Sequence, residues 1–254
     1  MTMDTQHFDV ARYLANLPLF QETTAQELQR LAAGCRLRRF GRGEAIFRVG
    51  MPCDEFHVTV MGQVKLFAIS PAGQEKVIEI AGPGITFAEA LMFTERPYII
   101  NAQALSDTLL LSVGKDAVVD EIERDPRFAL RLLGGISRRL HGLVHDVQAY
   151  SLHSGMQRVI GYLLSSLPEE SARTLPTLEA YAGQGCPPVS AAARPVIALK
   201  VSLPVSKATI ASLLSITPEY FSRVLRDLET EGLIHIDKRD ILIPDAMRLA
   251  NYTP

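Results

Sequence analysis

With 254 residues, 47% hydrophobic and 21% charged, the chain has the make-up of an ordinary globular protein long enough for two domains. A formal net charge of −2 gives no overall basic signature, so any hold on nucleic acid has to come from a local patch. No apolar run approaches the roughly 18 to 20 residues that cross a bilayer, and the opening "MTMDTQHFDVARYL" lacks the basic start and apolar stretch of a signal peptide, so the cytoplasm, with no membrane partner, is expected.

From Leu28 to Val113 short runs of alternating apolar and polar residues, among them "EAIFRVG", "EFHVTVMGQVKLFAIS" and "EKVIEIAG", are separated by Gly, Pro and Asp turns. Period-two alternation interrupted at short intervals predicts an antiparallel sandwich or barrel. Between two of the runs "SPAGQEK" reads as a tight hairpin, with Pro71 fixing φ and Gly73 free to take a positive φ. Together with short helices ahead of it, this region makes a first domain over residues 1–122. Cys35, Cys53 and Cys186 are scattered and include no C-x-x-C pair, so they predict neither a disulfide framework nor a thiolate cluster.

A second texture starts near Asp125. "DPRFALRLLGGISRRLHGLVHDVQAYSL" opens with an Asp N-cap and a Pro at the first helical position. Its apolar residues recur at steps of three and four, which predicts a long helix over residues 123–155. Gly134, Gly135 and Gly142 each cost such a helix about 1 kcal/mol relative to Ala, so packing has to hold it together. A helix of this length between two domains most simply pairs with its own copy, through Leu133, Ile136, Leu140, Val144 and Val147. Beyond it, residues 168–200 lose periodicity and are rich in Pro, Ala, Gly and Ser, which reads as an irregular insertion.

The remainder, within a domain over residues 156–254, is compact. "SKATIASLLSI" is a short helix with Ser206 as its N-cap, and Thr217 followed by Pro218 starts another that Gly232 can end in a left-handed conformation. "LIHIDKRDILI" then gives two alternating runs about a "DKRD" turn. Helix, turn, helix and a two-stranded wing make a winged helix-turn-helix, and the fold class as a whole is α+β.

At 100° per residue, Glu219, Ser222, Arg223 and Arg226 fall on one narrow stripe of the second helix, opposite Phe221, Val224, Leu225 and Leu228. The polar stripe occupies the first two turns, the part of a recognition helix that enters the major groove. Arg223 can donate two hydrogen bonds to a guanine edge, Glu219 can accept from a cytosine amino group, and Ser222 can pack or bond beside them. Ser206, Lys207, Thr217 and Arg226 are placed for backbone phosphate, which sets register without reading sequence.

"TPEYFSR" carries the E-x-x-S-R pattern of the Fnr-like branch of the Crp/Fnr transcription regulators, which the chain as a whole resembles. "GQEKVIEI", "TFAEALMF", "NAQAL" and "SRRLHGLVHDV" are together similar to its dissimilative nitrate respiration regulators, which respond to nitric oxide with haem. The resemblance implies a cyclic-nucleotide-binding-type jelly roll as sensor, the long helix as dimer contact, a palindromic operator with TTGAT-like half-sites as double-stranded DNA partner, and RNA polymerase as a further partner. In cyclic-AMP-binding members a glutamate holds the ribose and an arginine the phosphate. Glu89 matches the glutamate, but the arginine position falls at Tyr98 or Ile99, so no cyclic nucleotide is expected and these three residues are carried as sensor-pocket candidates.

Three scattered cysteines exclude an iron–sulfur cluster. Haem b remains, with His7, His57 and His141 as candidate ligands, each with an ordinary core, surface or interface role as the alternative. "NLPLF" stands where the nitrate respiration regulators carry histidines, so their axial ligands do not transfer. Two other readings stand beside this one: a regulator of the same type with a small organic effector in the jelly roll, and a jelly-roll oxygenase. The oxygenase needs several strand histidines, and His57 stands alone in its strand, so no enzyme is expected.

Overall fold

Strands that alternate in and out need a second layer over their apolar side, and residues 35–114 build both layers themselves. A computed structural model describes residues 8–152, 154–167 and 199–252, with the side chains of 138, 139, 142, 143 and 145–152 outside that description. The chain divides into two compact units, Met1–Val147 and Gln148–Pro254. Among the described residues no helix is long and apolar enough to cross a membrane.

In chain order the first unit contains α1 (Val10–Ala15), α2 (Ala25–Ala33), β1 (Cys35–Phe40), β2 (Ala45–Phe47), β3 (Glu55–Met61), β4 (Val64–Ile69), β5 (Glu75–Ala81), β6 (Thr86–Phe87), α3 (Glu89–Met92), β7 (Asn101–Ala104), β8 (Thr108–Gly114), α4 (Lys115–Arg124) and the start of α5 (Pro126–Leu152). The strands form two antiparallel sheets, in the orders β1-β8-β3-β6 and β2-β7-β4-β5. That is the predicted jelly-roll sandwich. Ser70 and Gln74 close the β4–β5 hairpin, with Gly73 at φ +79° as its turn requires.

β8 does not alternate, because both of its sides are covered. Leu110 faces the second sheet, while Leu111 and Val113 face a helical layer that includes Leu14, Leu31, Phe128 and Leu132. A strand buried on both sides reads as a continuous apolar run, and "TLLLSV" is one. The helical layer is also tied by ions: Arg131 of α5 pairs with Glu27 of α2, and Arg30 of α2 pairs with Glu121 of α4.

α5 begins as its sequence predicts, with the Arg127 amide donating to Asp125 Oδ1 at 3.0 Å. One side of it enters the core of its own unit through Phe128 and Leu132, with Ile136 packed at the margin. Ile136 is half-buried against this core, between the inward and outward sides of the helix. Leu133, Leu140 and Val144 are exposed as expected, and Leu130 joins them at 69% exposure. Val147 lies outside the described side chains. Gly135 has a spatial reason: a Cβ there would sit 2.9 Å from the carbonyl oxygen of Leu19, so only glycine lets the helix lie this close to the preceding turn.

The second unit holds α6 (Gly155–Ser165), β9 (Leu199–Ser202), α7 (Lys207–Leu213), α8 (Pro218–Thr230), β10 (His235–Asp237), β11 (Asp240–Ile243) and α9 (Ala246–Ala250). Its sheet runs β10-β11-β9, so the wing has three strands and not two. The extra strand includes Leu199 and Lys200, which trims the predicted insertion to residues outside the described set. The wing turn is tight, with Asp237 paired to Asp240 and Lys238 at φ +57°. Gly232 takes φ +65° just past α8, as predicted.

Candidate nucleic-acid interface and sensor core

α8 is anchored by Phe221, Val224, Leu225 and Leu228, each no more than 1% exposed. Its start is fixed by Thr217, whose hydroxyl accepts from the Tyr220 amide at 3.2 Å, and by Pro218 at the first position. The opposite stripe faces outward: Glu219, Arg223 and Arg226 are exposed and Ser222 is half-buried. Among the described residues the side chains of Glu219 and Arg226 make no hydrogen bond or ion pair, and Arg223 lies only against the ring of Tyr220. A carboxylate and a guanidinium one turn apart, exposed and uncommitted, can serve an external donor and acceptor edge.

The preceding helix has the expected cap. Ser206 Oγ accepts from the Thr209 amide at 3.1 Å, leaving Ser206 and Lys207 exposed at the N-terminus of α7. α7 and α8 meet through a short turn with Ser215 at φ +56°. Arg158 of α6 holds this turn by donating from Nη1 to the Leu214 carbonyl at 2.6 Å. Tyr220 also touches α6, where a Cβ on Gly155 would come within 2.6 Å of its ring. Neither Arg158 nor Tyr220 was marked by sequence pattern, since both act through contacts distant along the chain.

The sensor-pocket candidates separate. Tyr98 is 4% exposed and stacks on Phe47 with ring centroids 3.7 Å apart, whereas Ile99 is 63% exposed. Ile99, turned to the surface in the bend ahead of β7, is removed from the candidate pocket. Glu89 is buried at the start of α3 and accepts from Thr86 Oγ1 at 3.4 Å. Arg96 is exposed on the surface.

His57 is 1% exposed, with Nδ1 2.9 Å from Ser112 Oγ and Nε2 3.2 Å from the Tyr98 hydroxyl. Tyr98 donates its single hydroxyl proton to the Glu55 carbonyl at 3.2 Å, so Nε2–H donates to Tyr98 and Nδ1 accepts from Ser112. Burial, aided by the positive charge of Arg38, pushes the imidazole down to about 3 and keeps it neutral. Burial also pushes the Tyr98 hydroxyl well above its ordinary range.

A haem iron needs an accessible ligand atom, and His57 has both nitrogens committed inside a packed aromatic core. It is a core residue, which corrects its candidacy as ligand. His141 is exposed on α5 with Nδ1 2.9 Å from the Ser137 carbonyl oxygen, and His7 lies outside the described residues. Among the described residues no three His, Cys, Asp or Glu side chains gather as a metal group. Of the described candidates, His57 is therefore not placed to hold a haem iron.

Residues 37–125 match the cyclic nucleotide-binding domain and residues 157–252 the Crp-like helix-turn-helix domain. Over 237 residues the chain is 25% identical to the "CRP-like cAMP-activated global transcriptional regulator" of Mycobacterium tuberculosis, covering 93% of this chain and 96% of that protein. DNR from Pseudomonas aeruginosa is 32% identical, with all of each chain covered and a TM-score of 0.50. FixK2 from Bradyrhizobium japonicum, at 20% identity and a TM-score of 0.67, shares the fold over 87% of this chain and 98% of its own.

Proposed function

The chain belongs to the Crp/Fnr family of DNA-binding transcription regulators, and we propose that it acts as a homodimer whose two copies of α8 read a TTGAT-like palindrome. The observation that carries this reading is the exposed and uncommitted pair Glu219 and Arg223 on a helix whose opposite side is fully buried. Arg223 donates to O6 and N7 of the half-site guanine, Glu219 accepts from the paired cytosine, and Ser222 fills the space between them. Ser206, Lys207, Thr217 and Arg226 steady the phosphates.

Two half-sites one turn of DNA apart, about 34 Å, need two recognition helices at that spacing. The exposed α5 stripe of Leu130, Leu133, Leu140 and Val144 follows a three-four repeat and supports pairing with a second copy. From Lys200 to the end of the sequence seven basic residues face seven acidic ones, so electrostatics alone give modest affinity and the base contacts carry the selectivity. In a mobility-shift titration, Arg223→Ala is expected to lose about 10- to 100-fold of the preference for TTGAT over TTAAT half-sites. An equal loss on both duplexes would reduce Arg223 to a phosphate contact.

For the signal, nitric oxide or a related small molecule is supported by the motifs similar to the nitrate respiration regulators. Tyr98 stands near the place where a phosphate-binding arginine would be needed, which weighs against a cyclic nucleotide. A Soret band on reconstitution that shifts with nitric oxide would support haem as the sensor group, and a flat spectrum would favour an organic effector.

A further inference from the structure

Arg223 is a long, exposed side chain, and holding such a side chain in one geometry on binding carries an entropic penalty. α8 contains a device that reduces it. Tyr220 lies one residue from Glu219 and about 60° around the helix from Arg223, at the border between the outward and buried stripes. Its ring is pressed against the main chain at the start of α6, so that even one methyl on Gly155 would stand 2.6 Å from Cε1 and 3.1 Å from Cζ and the hydroxyl oxygen. α6 is itself fixed to the helix-turn-helix by Arg158, which donates to the Leu214 carbonyl. The Arg223 guanidinium carbon stands 4.9 Å from the ring centroid, within the range of a cation–π contact.

We infer that Tyr220 is a specificity-determining positioning residue: backed by the main chain at Gly155, its ring holds the Arg223 guanidinium ready for the base edge. This rests on the reading of α8 as the base-reading helix. Tyr220 touches no base in this role and acts only through Arg223. Its aromatic face matters and its hydroxyl does not, because the cation is drawn to the ring's quadrupole. Glycine at 155 is part of the device, since a side chain there would push the ring off its seat.

Full-length protein is titrated with a duplex carrying two TTGAT half-sites and with the same duplex carrying TTAAT. Tyr220→Leu is expected to lower the preference for TTGAT by about threefold to tenfold while binding to a scrambled duplex stays within twofold. Tyr220→Phe is expected to keep the full preference, and Gly155→Ala to reproduce the loss. In an Arg223→Ala background, Tyr220→Leu should add nothing. A Tyr220→Leu variant with undiminished preference, or with equal losses on all three duplexes, overturns the inference; so does failure of Tyr220→Phe to retain the preference. If Arg223→Ala itself keeps the preference, the base-reading role of α8 has failed instead, and Tyr220 has nothing to position. Should Tyr220→Leu unfold the unit, seen as lost helical circular dichroism, the Phe and Gly155→Ala variants decide the same question.

Discussion

The sensor core and the face of α8 use polar side chains in opposite ways. In the first, His57, Tyr98 and Ser112 are each 4% exposed or less and satisfy one another. In the second, Glu219, Arg223 and Arg226 are exposed, and among the described residues none of their side chains has a hydrogen-bonding partner. A buried polar group must be paired or it destabilises the fold by roughly 1 to 3 kcal/mol, so pairing in the core is a condition of folding. A surface group carries no such obligation and can be held open for a partner molecule. Polarity in the first region thus specifies structure, and in the second it specifies recognition.

Substitution at Tyr98 tests the contrast most severely. Tyr98→Ala opens the stack on Phe47 and deprives His57 Nε2 of its partner, and it is expected to remove about 3 to 5 kcal/mol of sensor stability in urea unfolding. Acid gives the next largest effect. The His57 imidazole is held at about 3 in the folded chain, below its ordinary 6.5, so the unfolded state binds the extra proton first. Its contribution is therefore complete above pH 6.5 and is lost as pH falls from there toward 3, up to about 3 kcal/mol by pH 4. His57→Phe should flatten that part of the stability–pH curve, and an unchanged slope would mean the histidine is not sealed. The smallest effect belongs to Glu219→Ala, expected to change stability by less than about 0.5 kcal/mol while selectivity at the half-site falls. A large stability loss there would erase the distinction between the two regions.

Local punctuation was the most legible part of the fold. Ser206, Thr217, Pro218, Gly73 and Gly232 act through their own backbone or a neighbour two or three residues away, and each occupies its predicted place. The outward stripe of α8 was equally readable, because a helical period maps directly onto a face. What was hidden depends on contacts remote in sequence. β9 joins the wing by pairing Val201 with Ile241, and no local signal announces a partner forty residues away. Tyr98 and Ile99 could not be told apart until the segment's inward side was known. His57 could be core or ligand from its neighbours alone, and only Ser112 and Tyr98 across the core decide it. Ile136 follows the helical repeat, and that its own unit's core half-buries it depends on partners remote in sequence.

Gly135 sits against both the side chain and the main chain of Leu19. Most contacts in a protein interior pass through side chains, which can change rotamer and swallow a small displacement. Here the Leu19 carbonyl oxygen and Cα would stand only 2.9 and 3.0 Å from a Cβ, so a rotamer change of the Leu19 side chain alone could not absorb a shift. An ångström of movement at the turn around Leu19 must be answered by the long helix itself.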